Sequence, residues 1–142
     1  MAMLCHIATP TRDRFIGEIY YASVPGANGG FGVLPGHELF VGTNAKKGIA
    51  TIWLDEAGNE RKEFLVMDGV SQVYNNTVKI LGRFCQAKED LDAEEAKEKL
   101  EIQRARLEEL KAKDDDMSQL AAEVTQERIE WYEYQLEVIG QA

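Results

Sequence analysis

The feature that most limits what this chain can fold into is a change of periodicity near residue 88. Before it, apolar residues recur at every second position in short runs bounded by glycine. After it, they recur every third and fourth position in two long runs. Charge changes at the same place. Residues 1–87 carry eight Lys/Arg and eight Asp/Glu, whereas residues 88–142 carry eight against seventeen, so the whole net charge of −9 lies in the tail. Two switches at one point divide the chain into units with different work. The expected architecture is an all-β sandwich over residues 1–87 followed by an antiparallel α-helical hairpin over residues 88–142, α+β overall.

In the first part the clearest strands are Glu18–Val24, Gly48–Leu54, Glu63–Met67, Ser71–Tyr74 and Thr77–Leu81. Both faces of Gly48–Leu54 are largely apolar, as suits a strand inside a sandwich. Gly58-Asn59 predicts the tip of a hairpin loop over 55–60, and Asn75-Asn76 a tight hairpin turn, because both residue types accept positive φ. In the second part Asp92 is the expected N-cap, with Glu95 completing a capping-box start. Ala96, Leu100, Gln103, Leu107 and Leu110 form the seam of the first helix. Asp114-Asp-Asp116 interrupts it, and Asp116 or Ser118 is the expected cap of the second helix. There Leu120, Val124, Glu127, Trp131, Tyr134 and Val138 repeat the spacing, beside a second stripe of Ile129, Tyr132, Leu136 and Ile139. This surplus of apolar surface either docks on the sandwich or meets another subunit.

Several chemistries are excluded. Gly30-Phe-Gly32-Val-Leu-Pro35 misses the dinucleotide fingerprint at its third glycine, and no phosphate-binding G-x-x-x-x-G-K-[ST] loop exists. Cys5 and His6 are adjacent and face opposite sides of a strand, so they cannot share a metal. His6, His37, Cys5 and Cys85 are too scattered for a site, and no metal or other cofactor is expected. The acidic pairs of the tail lie on solvated helix faces, without the contrasting environments that acid–base catalysis needs. So acidic a tail also opposes phosphate, and no nucleic-acid partner is expected. No apolar run is long enough to span a bilayer, and the start lacks a basic stretch followed by an apolar one. The chain reads as a non-catalytic interaction module on the cytosolic side, its two cysteines reduced and buried.

One segment stands apart, Gly26-Ala-Asn-Gly-Gly-Phe-Gly-Val-Leu-Pro-Gly-His37, with five glycines and one proline in twelve residues. It is either a corner of the sandwich or a shaped contact surface. This segment resembles the signature loop of the epsilon subunit of bacterial F-type ATP synthases. So do Met1-Ala-Met with His6, Lys47-Gly48-Ile49, Asp68-Gly-Val-Ser-Gln-Val73, Asn76-Thr-Val-Lys-Ile-Leu81 and Asp90-Leu-Asp92. The resemblance implies a central-stalk rotor subunit of a proton-translocating ATP synthase. It would touch the gamma subunit and the c ring through its sandwich, and the catalytic beta and alpha subunits through its hairpin. It would lie at the cytoplasmic face of the bacterial cell membrane without inserting into it.

On this resemblance the expected interface residues are Asn28, Gly29, Phe31, Pro35, Gly36 and His37. The regulatory face of the hairpin is expected at Arg128, Trp131, Tyr132 and Tyr134. Asn28 replaces the family's usual Glu, and Glu38-Leu39 replace its usual small residue and Pro. Family members that bind ATP carry [IL]-D-x-x-R-A, and here Leu91-Asp92-Ala-Glu-Glu95-Ala96 has Asp92 but puts Glu95 in place of the arginine. A carboxylate there repels a triphosphate, so weak or no ATP binding is expected. The alternative is a nucleotide-sensing module whose hairpin binds ATP.

Overall fold

The computed structural model describes residues 2–36 and 39–140, which fall into two compact units, Met1–Asp90 and Leu91–Ala142. Among the described residues the first unit has ten strands: β1 Met3–Thr9, β2 Arg12–Ile19, β3 Tyr21–Val24, β4 Phe31–Val33, β5 Phe40–Thr43, β6 Gly48–Trp53, β7 Arg61–Met67, β8 Val70–Tyr74, β9 Thr77–Leu81 and β10 Phe84–Ala87. They form two five-stranded sheets, ordered β2-β1-β9-β8-β5 and β10-β7-β6-β3-β4. Every neighbouring pair is antiparallel except β1 with β9. The sandwich expected from the periodicity is therefore what the chain forms. Its core is made by inward positions of both sheets, including Ile7, Ile19, Val24, Val33, Ile52, Phe64, Val66, Val78 and Ile80. Each such side chain contributes roughly 1.5–3 kcal/mol of burial.

The expected strand Glu18–Val24 is two strands in different sheets. Ile19 and then Ala22 and Val24 are the buried positions, so the period slips by one residue at Tyr20-Tyr21. Tyr20 N donates to the Trp53 carbonyl at 2.9 Å as the chain crosses from one sheet to the other. Four further strands, β1, β4, β5 and β10, lie outside the runs picked from the sequence. The chain also changes sheets between β5 and β6, at Asp68-Gly69 and at Gly82-Arg83. Asp68 and Gly69 both take positive φ, 55° and 89°. A Cβ on Gly69 would run into the Leu81 carbonyl oxygen, so glycine is demanded there twice over. Asn75 and Asn76, at φ 45° and 56°, make the expected turn between β8 and β9.

In the second unit α1 spans Ala93–Lys111 and α2 spans Asp116–Gly140. Asp92 caps α1 as expected, its Oδ1 accepting from the Glu94 and Glu95 amides at 3.0 and 3.2 Å. Glu95 accepts from Lys99 Nζ at 2.6 Å, a forward i,i+4 pair in place of the reciprocal bond of a capping box. The α2 cap is Asp115, not Asp116 or Ser118. Its two carboxylate oxygens accept from Ser118 N at 2.8 Å and Ser118 Oγ at 2.9 Å. Leu100, Leu107 and Ile129 form the hairpin core, with Ala122, Tyr132 and Leu136 packed on it. The stripe of Ile129, Tyr132 and Leu136 thus meets α1, and Leu120 stays 57% exposed outside the seam. At about 100° per residue Leu120 lies on the helix face opposite that stripe, in line with Trp131, Tyr134 and Val138, which are buried nearer the C-terminal end of α2.

Candidate subunit-attachment surface

The glycine-rich segment is built outward from the sandwich edge. Gly26 bridges to Asn44, and Ala27 N donates to the Thr43 carbonyl at 3.0 Å, fastening the start of the loop to the end of β5. Gly29 N returns to the Gly26 carbonyl at 3.1 Å, and Gly29 takes φ 119°, so the chain reverses within four residues and leaves Asn28 exposed at the tip. Phe31 then enters β4, and its ring lies 4.6 Å from that of Phe40 on β5. These are edge strands of opposite sheets, so the ring pair closes that side of the sandwich. Phe31 is half-buried and packs on the core, which makes it a support of this surface as much as part of it.

Beyond β4 the chain turns outward. Val33 is fully buried, whereas Leu34 is 59% exposed and Pro35 half-buried. Gly36, at φ 84°, donates its amide to Asn76 Oδ1 at 3.1 Å. His37, expected at the edge of the surface, lies outside the described residues. On the far side Leu39 is 81% and Val41 69% exposed. Leu34 within the loop, and Leu39 and Val41 after it, thus present bare apolar surface outside the expected interface residues. Their signal was present: in Leu39-Phe-Val41 apolar residues stand just before and on the outward side of the short edge strand β5, where solvated positions carry polar residues.

Among the described residues of this unit no cluster of reactive groups is gathered. His6 Nε2 meets Asp13 Oδ1 at 2.7 Å across β1 and β2, His6 half-buried and Asp13 exposed. Burial pushes the Cys5 thiol up to about 12. It does the same to Cys85, with Arg14 opposing it there. Among the described residues no three His, Cys, Asp or Glu side chains are placed to hold a metal.

Of the hairpin residues, Arg128 is exposed, Trp131 and Tyr134 are buried, and Tyr132 is half-buried against the Leu100, Leu107 and Ile129 core. Burial, and secondarily Glu137, raises the Tyr134 hydroxyl above its ordinary value. Arg104 reaches Glu133 at 3.4 Å across the two helices, both side chains about half exposed. Asp92 and Glu95 are held by the cap and by Lys99 respectively. The Glu95 carboxylate, accepting from Lys99, raises the lysine above its usual value.

Residues 2–87 match the family described as ATP synthase, Delta/Epsilon chain, beta-sandwich domain. An ATP synthase epsilon chain from Bradyrhizobium is 33% identical over 86 residues, a stretch that covers 61% of this chain and 61% of that relative. The Leptospira borgpetersenii epsilon chain is 35% identical over 94 residues, covering 66% and 71%. The Rippkaea orientalis epsilon chain is 27% identical over 122 residues, covering 86% and 87%, so this likeness extends into the hairpin. A chain of the Euglena gracilis mitochondrial ATP synthase structure superposes with a TM-score of 0.57 at 23% identity, over 95% of this chain and 81% of that one. At that identity the likeness is one of fold.

Proposed function

Since the chain belongs to the ATP synthase delta/epsilon family and is not its catalytic subunit, we propose that it is a central-stalk rotor subunit. It couples rotation to proton flow by holding the gamma subunit and the c ring. Attachment resides in residues 1–87 and regulation in residues 88–142. The contact surface is the loop of Asn28, Gly29, Phe31, Pro35, Gly36 and His37 together with Leu34, Leu39 and Val41. The observation that carries this reading is the bare apolar surface of Leu34 in the glycine-rich loop and of Leu39 and Val41 just after it. A solvated corner has no reason to keep leucines at 59% and 81% exposure in and just after that loop. Attachment is peripheral, at the cytoplasmic face; among the described residues no helix is long and apolar enough to cross a membrane.

The test is co-purification of the tagged chain with the gamma subunit and c ring. Leu34→Gln, Leu39→Gln and Val41→Thr together should abolish it while leaving the melting temperature of the isolated chain nearly unchanged. Full recovery of the complex with the triple variant would sink the assignment. For the hairpin, α2 from Asp116 carries one basic residue, Arg128, against many carboxylates. An acidic partner would repel it, so any restraint of ATP hydrolysis rests on Trp131, Tyr132 and Tyr134. Removing residues 88–142 should then change hydrolysis by the complete complex independently of salt. A large, salt-sensitive rise contradicts this. Weak or no ATP binding at the hairpin is supported by Glu95 and by the commitment of Asp92 to the helix cap. Millimolar ATP should leave the melting temperature in place, and saturable stabilisation would restore the nucleotide-sensing reading.

A further inference from the structure

We propose that Asn76 is a positioning residue that sets the attachment surface, an inference that rests on the reading of the glycine-rich loop given above. Asn76 sits in the β8–β9 turn, forty residues away from that loop in sequence. Both ends of its side chain are used. Oδ1 accepts from Gly36 N at 3.1 Å, and Nδ2 donates to the Ala2 carbonyl at 2.9 Å. Its own carbonyl accepts from Leu4 N at 3.0 Å. One residue therefore joins the outer corner of the loop, the start of β1 and the β8–β9 turn. Asn75 has the same left-handed backbone and offers its carbonyl to Thr77 Oγ, so a turn of this shape does not by itself require what Asn76 does.

Among the described residues, the Asn76 bond is the side-chain hydrogen bond that reaches this corner. A Cβ placed on Gly36 would meet nothing within 4 Å, so side-chain packing does not locate this residue. Leu34 and Leu39 on either side are exposed. The inner end of the loop is anchored by the Phe31–Phe40 pair, and the outer end by the Gly36 amide on Asn76. Gly36 at φ 84° can swing through backbone states closed to other residues, so without that bond the corner samples many of them. An apolar surface that must match a partner loses affinity when its shape has to be fixed at binding.

Two substitutions separate positioning from turn-making. N76G keeps φ 56° without strain and removes both side-chain bonds; N76D keeps an acceptor for Gly36 but replaces the donor to Ala2 with a carboxylate oxygen that the Ala2 carbonyl repels, so it disrupts the Ala2 end while leaving an acceptor at the Gly36 end. If Asn76 only makes the turn, glycine, the best residue at positive φ, should equal or exceed wild type, and Asp should do no better. Positioning predicts the reverse order. In the full-length chain the Gly36 amide should exchange at least tenfold faster in N76G, as in wild type in N76D, with Val78 and Ile80 amides little changed in both. Binding to an ATP synthase preparation stripped of this subunit should weaken about tenfold for N76G and stay within threefold for N76D. Unchanged Gly36 exchange in N76G, or lost protection in a folded N76D, overturns the proposal. The N76D arm decides even if N76G does not fold. Failure of the wild-type chain itself to bind the stripped complex counts against the attachment reading alone, since the exchange data judge Asn76 independently.

Discussion

Asn44 is the residue whose replacement should cost the sandwich most for its size. It is 6% exposed and stands where the chain leaves β5 for the other sheet. Its Nδ2 donates to the Asp68 carbonyl at 3.0 Å and the Leu81 carbonyl at 3.2 Å, and its Oδ1 accepts from Ser71 Oγ at 2.5 Å. One amide thereby ties together three of the places where the chain changes sheets. Asn44→Ala leaves the Ser71 hydroxyl, itself 1% exposed, without its acceptor, at about 1–3 kcal/mol, and removes two bonds to carbonyls at about 0.5–1.5 kcal/mol each. The expected loss is about 3–4 kcal/mol, against a total stability of about 5–15 kcal/mol. For a domain of this size that lowers the melting point by roughly 15–20 °C. Urea unfolding followed by Trp53 in a Trp131→Phe background reads the first unit alone. Ser71→Ala by itself should cost about 1 kcal/mol. The double variant should be about 1–2 kcal/mol more stable than the two losses added, because no hydroxyl is then orphaned. A loss below about 1 kcal/mol for Asn44→Ala, or strict additivity in the cycle, would refute the account.

Gly69→Ala should destabilise by about 3–4 kcal/mol, combining a positive φ with a clash against the Leu81 carbonyl. Gly29→Ala, at positive φ but in open space, should cost only about 1–2 kcal/mol; equal losses in chemical denaturation would count against the packing argument. Asp115→Ala should fray α2, seen as faster amide exchange at Ser118 and Gln119. The Ser118 amide and hydroxyl hold the Asp115 carboxyl below its ordinary value, so its contribution is fully present above the unfolded value of about 3.9 and is lost as pH falls through the folded one. Asp115→Asn should accordingly flatten the acid limb of hairpin stability, and an unchanged limb would show that the cap is idle. Cys5 and Cys85, pushed up to about 12 by burial, should resist a thiol reagent at pH 8 in the native chain and react at once in denaturant. Fast native labelling of either would mean that the core opens readily.

How much of this was legible in advance depended on how local the signal was. The Gly48–Leu54 strand, apolar on both faces, the Asn75-Asn76 turn and the Asp92 cap are each settled within a few residues, and all three appear in the structure, the strand as Gly48–Trp53. The edge strands β4 and β5 are three and four residues long, too short for a period to register, and exist because β3 and β8 offer them partners. The break at Tyr20 left a phase slip that could have been read, since Ile19 and Ala22 cannot both face inward on one straight strand. The cap of α2 was ambiguous among neighbouring acidic and hydroxyl residues, any of which could serve. Only the geometry of the turn selected Asp115.

The hydrophobic period, the charge step near residue 88 and the glycine-rich loop determined by themselves that this chain is a β unit followed by an acidic helical pair, because period and charge act between near neighbours. Tertiary structure alone decided that Asn44 ties the sheet crossings, that Asn76 reaches Gly36 and Ala2, and that Leu34, Leu39 and Val41 stand bare in and just after the loop. Hydrogen bonds between residues tens of positions apart, and exposure itself, exist only once the strands have paired.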